Sequence, residues 1–191
     1  YTRWLRPHFY VGGMPEAVDT YVATSDFEEV RRIQLNLLSG YRGDFTKHAP
    51  TECLPKLNMV WASVPLQLAK ENKRFVYTEV YAGARRKALE FPLRWLQDAG
   101  LIYGVPRVKV PRLPMSSYWE GGISKVYTLD VGLLSALSQL DAVSLLDGDA
   151  IFAEFKGALT EQFVQQELRA ACSLTPCYWV SEEKNAKAEV D

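Results

Sequence analysis

The last seven residues, "NAKAEVD", alternate the small or apolar Ala186, Ala188 and Val190 with Lys187, Glu189 and Asp191, the period of a β-strand. The strand ends on a carboxylate, which is either a surface acid or one half of a site. Upstream, a helix expected from about residue 158 to 171 carries two more acids. Glu161 shares a helix face with Val164 and Leu168, at i, i+3 and i+7, while Glu167 lies four residues from both Phe163 and Ala171. Spacing does not choose between them. Carboxylates gathered at one point can hold Mg²⁺ or a similar hard cation through oxygen, and the cation activates a water and steadies charge on a phosphate.

A second set of residues is basic. From Lys70 to Arg112 ten bases stand against four acids, a net charge of +6, whereas from Asp141 to Asp191 four bases stand against ten acids, a net of −6. Over the whole chain these nearly cancel to −1, so the asymmetry rather than the total points to modules with different work. Arg85, Arg86 and Lys87 are consecutive, and Arg107, Lys109 and Arg112 follow at a strand-like stretch. Bases so grouped suit phosphates, although the same charges also make an ordinary solvated face.

Other chemistries find less support. Cys53, Cys172 and Cys177 are an odd number, which argues for reduced thiols in a cytoplasm, and Cys172 and Cys177 have no histidine nearby, which argues against a zinc site. His8 and His48 stand alone. The pair Gly12-Gly13 could cradle a phosphate before a helix, but no lysine or Ser/Thr follows at phosphate-loop spacing, and a tight turn is the preferred reading. Arg42, Gly43 and Asp44 spell an adhesion tripeptide that is read as coincidence. No run approaches the about 18–20 apolar residues needed to cross a bilayer, and no membrane partner is expected.

The elements that must position these groups follow from periodicity and punctuation. Pro15 opens a helix after the double glycine. Ser25 and Glu28 have capping-box spacing ahead of a stripe of Phe27, Val30, Gln34, Leu37, Leu38 and Tyr41 that ends before Gly43, and "RGDFTKHAPTECLP" reads as a polar connection. Helices are expected from Asn58 to Ser63 and from Pro65 to Glu71, with Thr78 capping a short helix that Ala82-Gly83 ends. A longer helix with Leu89, Leu93, Trp95 and Leu96 is restarted or kinked at Pro92 and stopped by Gly100. "LIYGVPRVKV" reads as strand, turn and strand, with "KVYTL" pairing to one of them. Three short helices before a β-hairpin make a winged helix, a variant of helix-turn-helix, with the basic residues on its third helix and wing. Asp130 is expected to cap a helix carrying Val131, Leu134 and Leu137, and "CYWV" to form a strand before the loop "SEEKNAK".

In this order, "GGMPEAV", "VPLQLAKENKRFVYTEV", "LRWLQDAGLI", "KVYTLDVGLL", "GALTEQFVQQEL" and "AEVD" resemble a group of prokaryotic P-loop ATP-binding proteins of the AAA superfamily, whose C-terminal portion is called domain of unknown function 4143. The resemblance runs from about Phe9 to Asp191. It implies an ATPase core ahead of the double glycine, then a winged helix, then a restriction-endonuclease-like domain of the PD-(D/E)XK kind. No G-x-x-x-x-G-K-S/T stretch occurs in the chain, so ATP is expected in the parent protein only. The resemblance also prefers Glu161 over Glu167 as the helix acid and makes Asp191 the strand acid. The two become candidate catalytic and Mg²⁺-holding residues, with the E-x-K pair expected beyond Asp191. On this reading the chain stops within the motif and is inactive as ATPase and as nuclease.

The expected fold class is therefore α+β, mainly helical with a winged helix-turn-helix and followed by the start of a nuclease-like α/β domain. The expected segments are a helical one at 1–57, the winged helix at 58–140 and the truncated nuclease-like part at 141–191. The expected function is the DNA-engaging, nuclease-like C-terminal region of a cytoplasmic AAA-type ATPase, partnered by DNA and by its own ATPase core. Phosphate contacts are assigned to Arg85, Arg86, Lys87, Arg107 and Lys109. The alternative is a non-catalytic interaction module that docks a partner protein or a second copy of the chain.

Overall fold

The computed structural model describes residues 2–70, 74–143, 150–172, 175–181 and 189–190, and its class is α+β. Helices α1 (Thr2–Val11), α2 (Pro15–Thr24), α3 (Phe27–His48), α4 (Leu54–Leu68) and α5 (Arg86–Asp98) lead into strands β1 (Ile102–Val108) and β2 (Trp119–Thr128). Helices α6 (Val131–Leu137) and α7 (Ala150–Ala171) follow, then β3 (Tyr178–Val180) and β4 (Glu189–Val190). The sheet has the order β2-β1-β3-β4. Its β1–β2 and β3–β4 pairs are antiparallel, and β1 and β3 run parallel with Arg107 opposite Tyr178.

The first three helices form around their apolar faces. Pro15 occupies the first turn of α2, as expected. The N-cap of α3 is Asp26 rather than Ser25: its carboxylate accepts from the N–H groups of Glu28 and Glu29 at 2.8 and 3.2 Å, and Ser25 instead closes α2 in a left-handed conformation. Helix α3 runs through Gly40 and Gly43 to His48, so the connection expected at "RGDFTKH" is helical and the RGD tripeptide lies within a helix. The reason is Phe45, fully buried edge-on against Trp61 and Trp95 with centroids 6.2 and 5.4 Å away. One continuous face of Val30, Gln34, Leu38 and Phe45 outweighs two helix-weakening glycines.

The same logic applies at Pro65, and three other expectations are corrected beside it. The two helices expected around Pro65 are one, because Leu57, Val60, Trp61, Val64 and Leu68 keep a single buried face across the proline. No turn splits "LIYGVPRV". Strand β1 passes through Pro106, and the missing N–H is absorbed as a register shift between Pro106 and Val108. The short helix near Thr78 is a 3₁₀ turn, Tyr77–Glu79, preceded by Val76 and without a side-chain cap. Helix α7 also begins earlier than expected, at Ala150.

Of the three short helices expected before the hairpin, two α-helices are present, α4 and α5, with the 3₁₀ turn between them, and the β1–β2 hairpin follows. A bridge from Arg74 to Lys125 and a bond from the Phe75 N–H to the Ser124 carbonyl at 2.8 Å fasten the segment before the 3₁₀ turn to β2. Asp130 caps α6, accepting from the Leu133 N–H at 2.9 Å, and Val131 and Leu134 are buried. A single apolar cluster contains Phe9 of α1, Trp61 of α4, Tyr127 of β2, Leu159 of α7 and Tyr178 of β3.

Candidate nucleic-acid interface

Helix α5 begins with Arg85 as N-cap, whose side chain makes no capping bond, and its first turn holds no acid. Arg85, Arg86 and Lys87 are all exposed there. The aligned peptide dipoles make a helix N-terminus electropositive, so each cation in that turn is disfavoured by about 0.3–1 kcal/mol at low salt. A helix built this way binds anions better than one with an ordinary acidic first turn, because N–H groups, dipole and side chains all carry the same sign. Glu90, Phe91 and Arg94 are also exposed, while Leu89, Pro92 and Leu96 face the core.

The helix start is joined to the hairpin. Gly122 in β2 has a φ of 89°, and a β-carbon there would lie 2.6 Å from the Arg86 guanidinium, so glycine lets Arg86 pass over the strand. Beyond the strands, residues 109–118 form the wing, with Lys109 and Arg112 exposed. Arg107 is placed differently. Its side chain is only 15% exposed, pairs with Glu120 at 3.2 Å and donates to the Val180 carbonyl at 3.4 Å. Four of the five predicted phosphate contacts thus lie in the open, while the charge of Arg107 is engaged at the root of the wing.

Glu161 lies elsewhere, on the face of α7 that packs on β2. It is 10% exposed, and its Oε1 accepts from the Lys125 ammonium at 3.0 Å and from the Tyr127 hydroxyl. Lys125 is 3% exposed and sits 4.8 Å from the Tyr178 ring centroid. Asp191 and residues 182–188, which hold all of the loop "SEEKNAK" but Ser181, lie outside the described residues. Glu167 is on another face of α7, where it lines a largely apolar hollow of about 560 Å³ with Trp4, His8, Val18, Val22 and Phe163. Among the described residues no three of His, Cys, Asp and Glu come together. A hard cation asks for six or more oxygens. One carboxylate whose oxygen already receives an ammonium and a phenol does not fit that demand, so the Mg²⁺ expectation rests on Asp191.

The neighbours of Glu161 in sequence show what "GALTEQFVQQEL" does structurally. Buried Gln162 accepts from the Thr128 N–H at 3.0 Å and donates to the Thr128 carbonyl at 2.7 Å, completing the end of β2 as another strand would. Gln166 accepts from the Val131 N–H at 2.9 Å. None of Lys125, Tyr127, Gln162 and Gln166 stood out in the sequence, because their partners are 34 to 36 residues away. The double glycine has a structural explanation too. Gly12 has a φ of 72°, and a β-carbon there would lie 2.2 Å from Asp130 Oδ1, while the Gly13 N–H donates to Asp130 at 2.7 Å. Its anion is this carboxylate.

Fold and surface thus define an α+β chain in which helix α5 and the wing of the β1–β2 hairpin display exposed bases. The chain belongs to the family described as Domain of unknown function (DUF8612), whose model matches residues 2–144. That match carries no link to ATP-binding proteins. Neither the comparison with curated proteins nor that with solved structures returned a match. Among the described residues no helix is long and apolar enough to cross a membrane.

Proposed function

We propose that the chain engages duplex DNA through the start of α5 and the wing, as the C-terminal region of a prokaryotic AAA-type ATPase. The observation that carries DNA engagement is the uncapped N-terminus of α5 with three consecutive exposed cations, backed onto the wing strand through Arg86 and Gly122. Arg85, Lys87 and Lys109 contact phosphates, Arg86 ties helix to wing, and Arg107 braces the hairpin. The ATPase context rests on the resemblance of the six phrases. The nuclease-like part rests on Asp191 together with Glu161, and the described residues supply no cleavage step.

Affinity for duplex DNA should fall as salt rises, by a log–log slope of roughly −0.9 per phosphate contact. Arg85→Ala with Lys87→Ala should weaken binding to all sequences alike and flatten that slope by about one to two units. Fluorescence anisotropy across a salt series measures both, and unchanged binding in the double variant would remove this surface. A second reading, self-association, is favoured by the apolar hollow, whose rim includes Val22 at 77% exposure. Concentration-dependent sedimentation without DNA binding would put it first.

A further inference from the structure

Leu113 is 87% exposed, the most exposed large apolar side chain described. It stands in the wing, in the order Pro111, Arg112, Leu113, Pro114, with no acid anywhere from residue 109 to 118. We propose that the wing is a minor-groove wedge, in which Leu113 inserts between base pairs while Arg112 enters the groove beside it. This deepens the DNA reading and rests on it.

The wing is built to hold such a residue in place. Its base is closed by the Lys109 N–H to the Tyr118 carbonyl at 3.0 Å, and its interior by Arg112 N–H to Val110 and Ser117 N–H to Pro114 carbonyls at 2.9 and 3.1 Å. Two prolines fix φ on either side of Arg112-Leu113, so little backbone freedom is lost on binding. Beneath, the Arg107–Glu120 pair and the parallel pairing of β1 with β3 brace the root. Position fits as well. Arg86 touches β2 at Gly122, and three residues of strand from there to Trp119 cover about 10 Å before the wing loop extends further. Half a helical turn of DNA is about 17 Å, so a wing standing beside a helix in the major groove falls on the neighbouring minor groove. Apolar side chains that enter there unstack a base step and bend the duplex, and flanking arginines are drawn by the groove's negative potential.

The test uses the full chain and a duplex with 2-aminopurine at a flexible TA step, alongside end-labelled duplexes that report bending by energy transfer. The wild type should raise 2-aminopurine fluorescence and bend the DNA by about 20–90°. Leu113→Ala should abolish both signals while lowering affinity by less than about tenfold, since the lost contact and the relieved bending cost oppose each other. Leu113→Phe should keep them, and Arg112→Ala should flatten the salt slope by about one unit. If the wild type binds with the expected salt slope but the base stays stacked and the duplex straight, the wedge is overturned and DNA engagement stands. Absence of DNA binding overturns both. Leu113-dependent binding to vesicles of anionic lipid, without DNA binding, would reassign the wing to a membrane surface.

Discussion

Asp130 joins the start of α6 to the turn between α1 and α2, and its buried carboxylate has opposing influences. Burial pushes its pKa above the ordinary 3.8, while N–H groups of Gly13, Leu133 and Gly132 and the nearby His8 pull it down without cancelling that rise. A folded-state pKa above the unfolded value means that the stability Asp130 contributes is complete below pH 3.8 and is lost as pH rises through the folded value. The stability advantage of wild type over Asp130→Asn should therefore shrink as pH rises above 3.8, read as urea midpoints. An advantage that grows with pH would mean that the N–H donors outweigh burial. Gly12→Ala should lose about 2–4 kcal/mol at neutral pH, because the left-handed φ and the fixed carboxylate both reject a β-carbon. At this scale the sequence was half legible. Asp130 reads as a cap from its local spacing, but the need for glycine at 12 comes from a residue 118 positions away, which no local pattern encodes.

Elements were legible where local signals and burial agreed, as in Pro15 opening α2 and "KVYTL" pairing with the start of β1. They were misread where a buried side chain overrode punctuation, as Phe45 does at Gly43 and Val64 with Leu68 do at Pro65. The docking of α7 on β2 was not legible, because Glu161 and Lys125 look like two solvated charges until the fold brings them together out of water. Removing one member of such a buried pair leaves the other uncompensated, at a cost of about 3–5 kcal/mol, whereas replacing both by apolar groups is often neutral. Lys125→Met alone should lower stability by that amount, and adding Glu161→Gln, which is uncharged and still accepts from the Tyr127 hydroxyl, should recover most of it, by denaturant unfolding. DNA affinity should be unchanged in the folded double variant if the pair only fastens α7 to β2. A double variant that is stable but no longer binds DNA would instead give Glu161 a functional role.

For the whole molecule, the family match ends at residue 144, whereas the packing does not. The charge reversal near residue 141 marks a change of surface that the sequence displays openly. Continuity of the interior across that point is invisible in the sequence, because it depends on parallel pairing of β1 with β3 and on amides of α7 finishing β2. A chain of residues 1–144 would lose Leu159 and Ala158 from the core, the ring of Phe163 against Phe9 at 5.9 Å, and the partners of Lys125, Thr128 and Val131. These groups would meet water rather than stay buried and unpaired, so the full desolvation penalties do not apply. The lost apolar contacts remain, and each side chain as large as Leu159 is worth about 1.5–3 kcal/mol. Set against a typical total of about 5–15 kcal/mol, that loss is large. The 1–144 chain should unfold at a lower denaturant midpoint and with a shallower slope than the full chain, and should bind a dye for exposed apolar surface. A truncated chain that melts as sharply and as high as the full one would make residues 1–144 an independent unit, with α7 only resting on it.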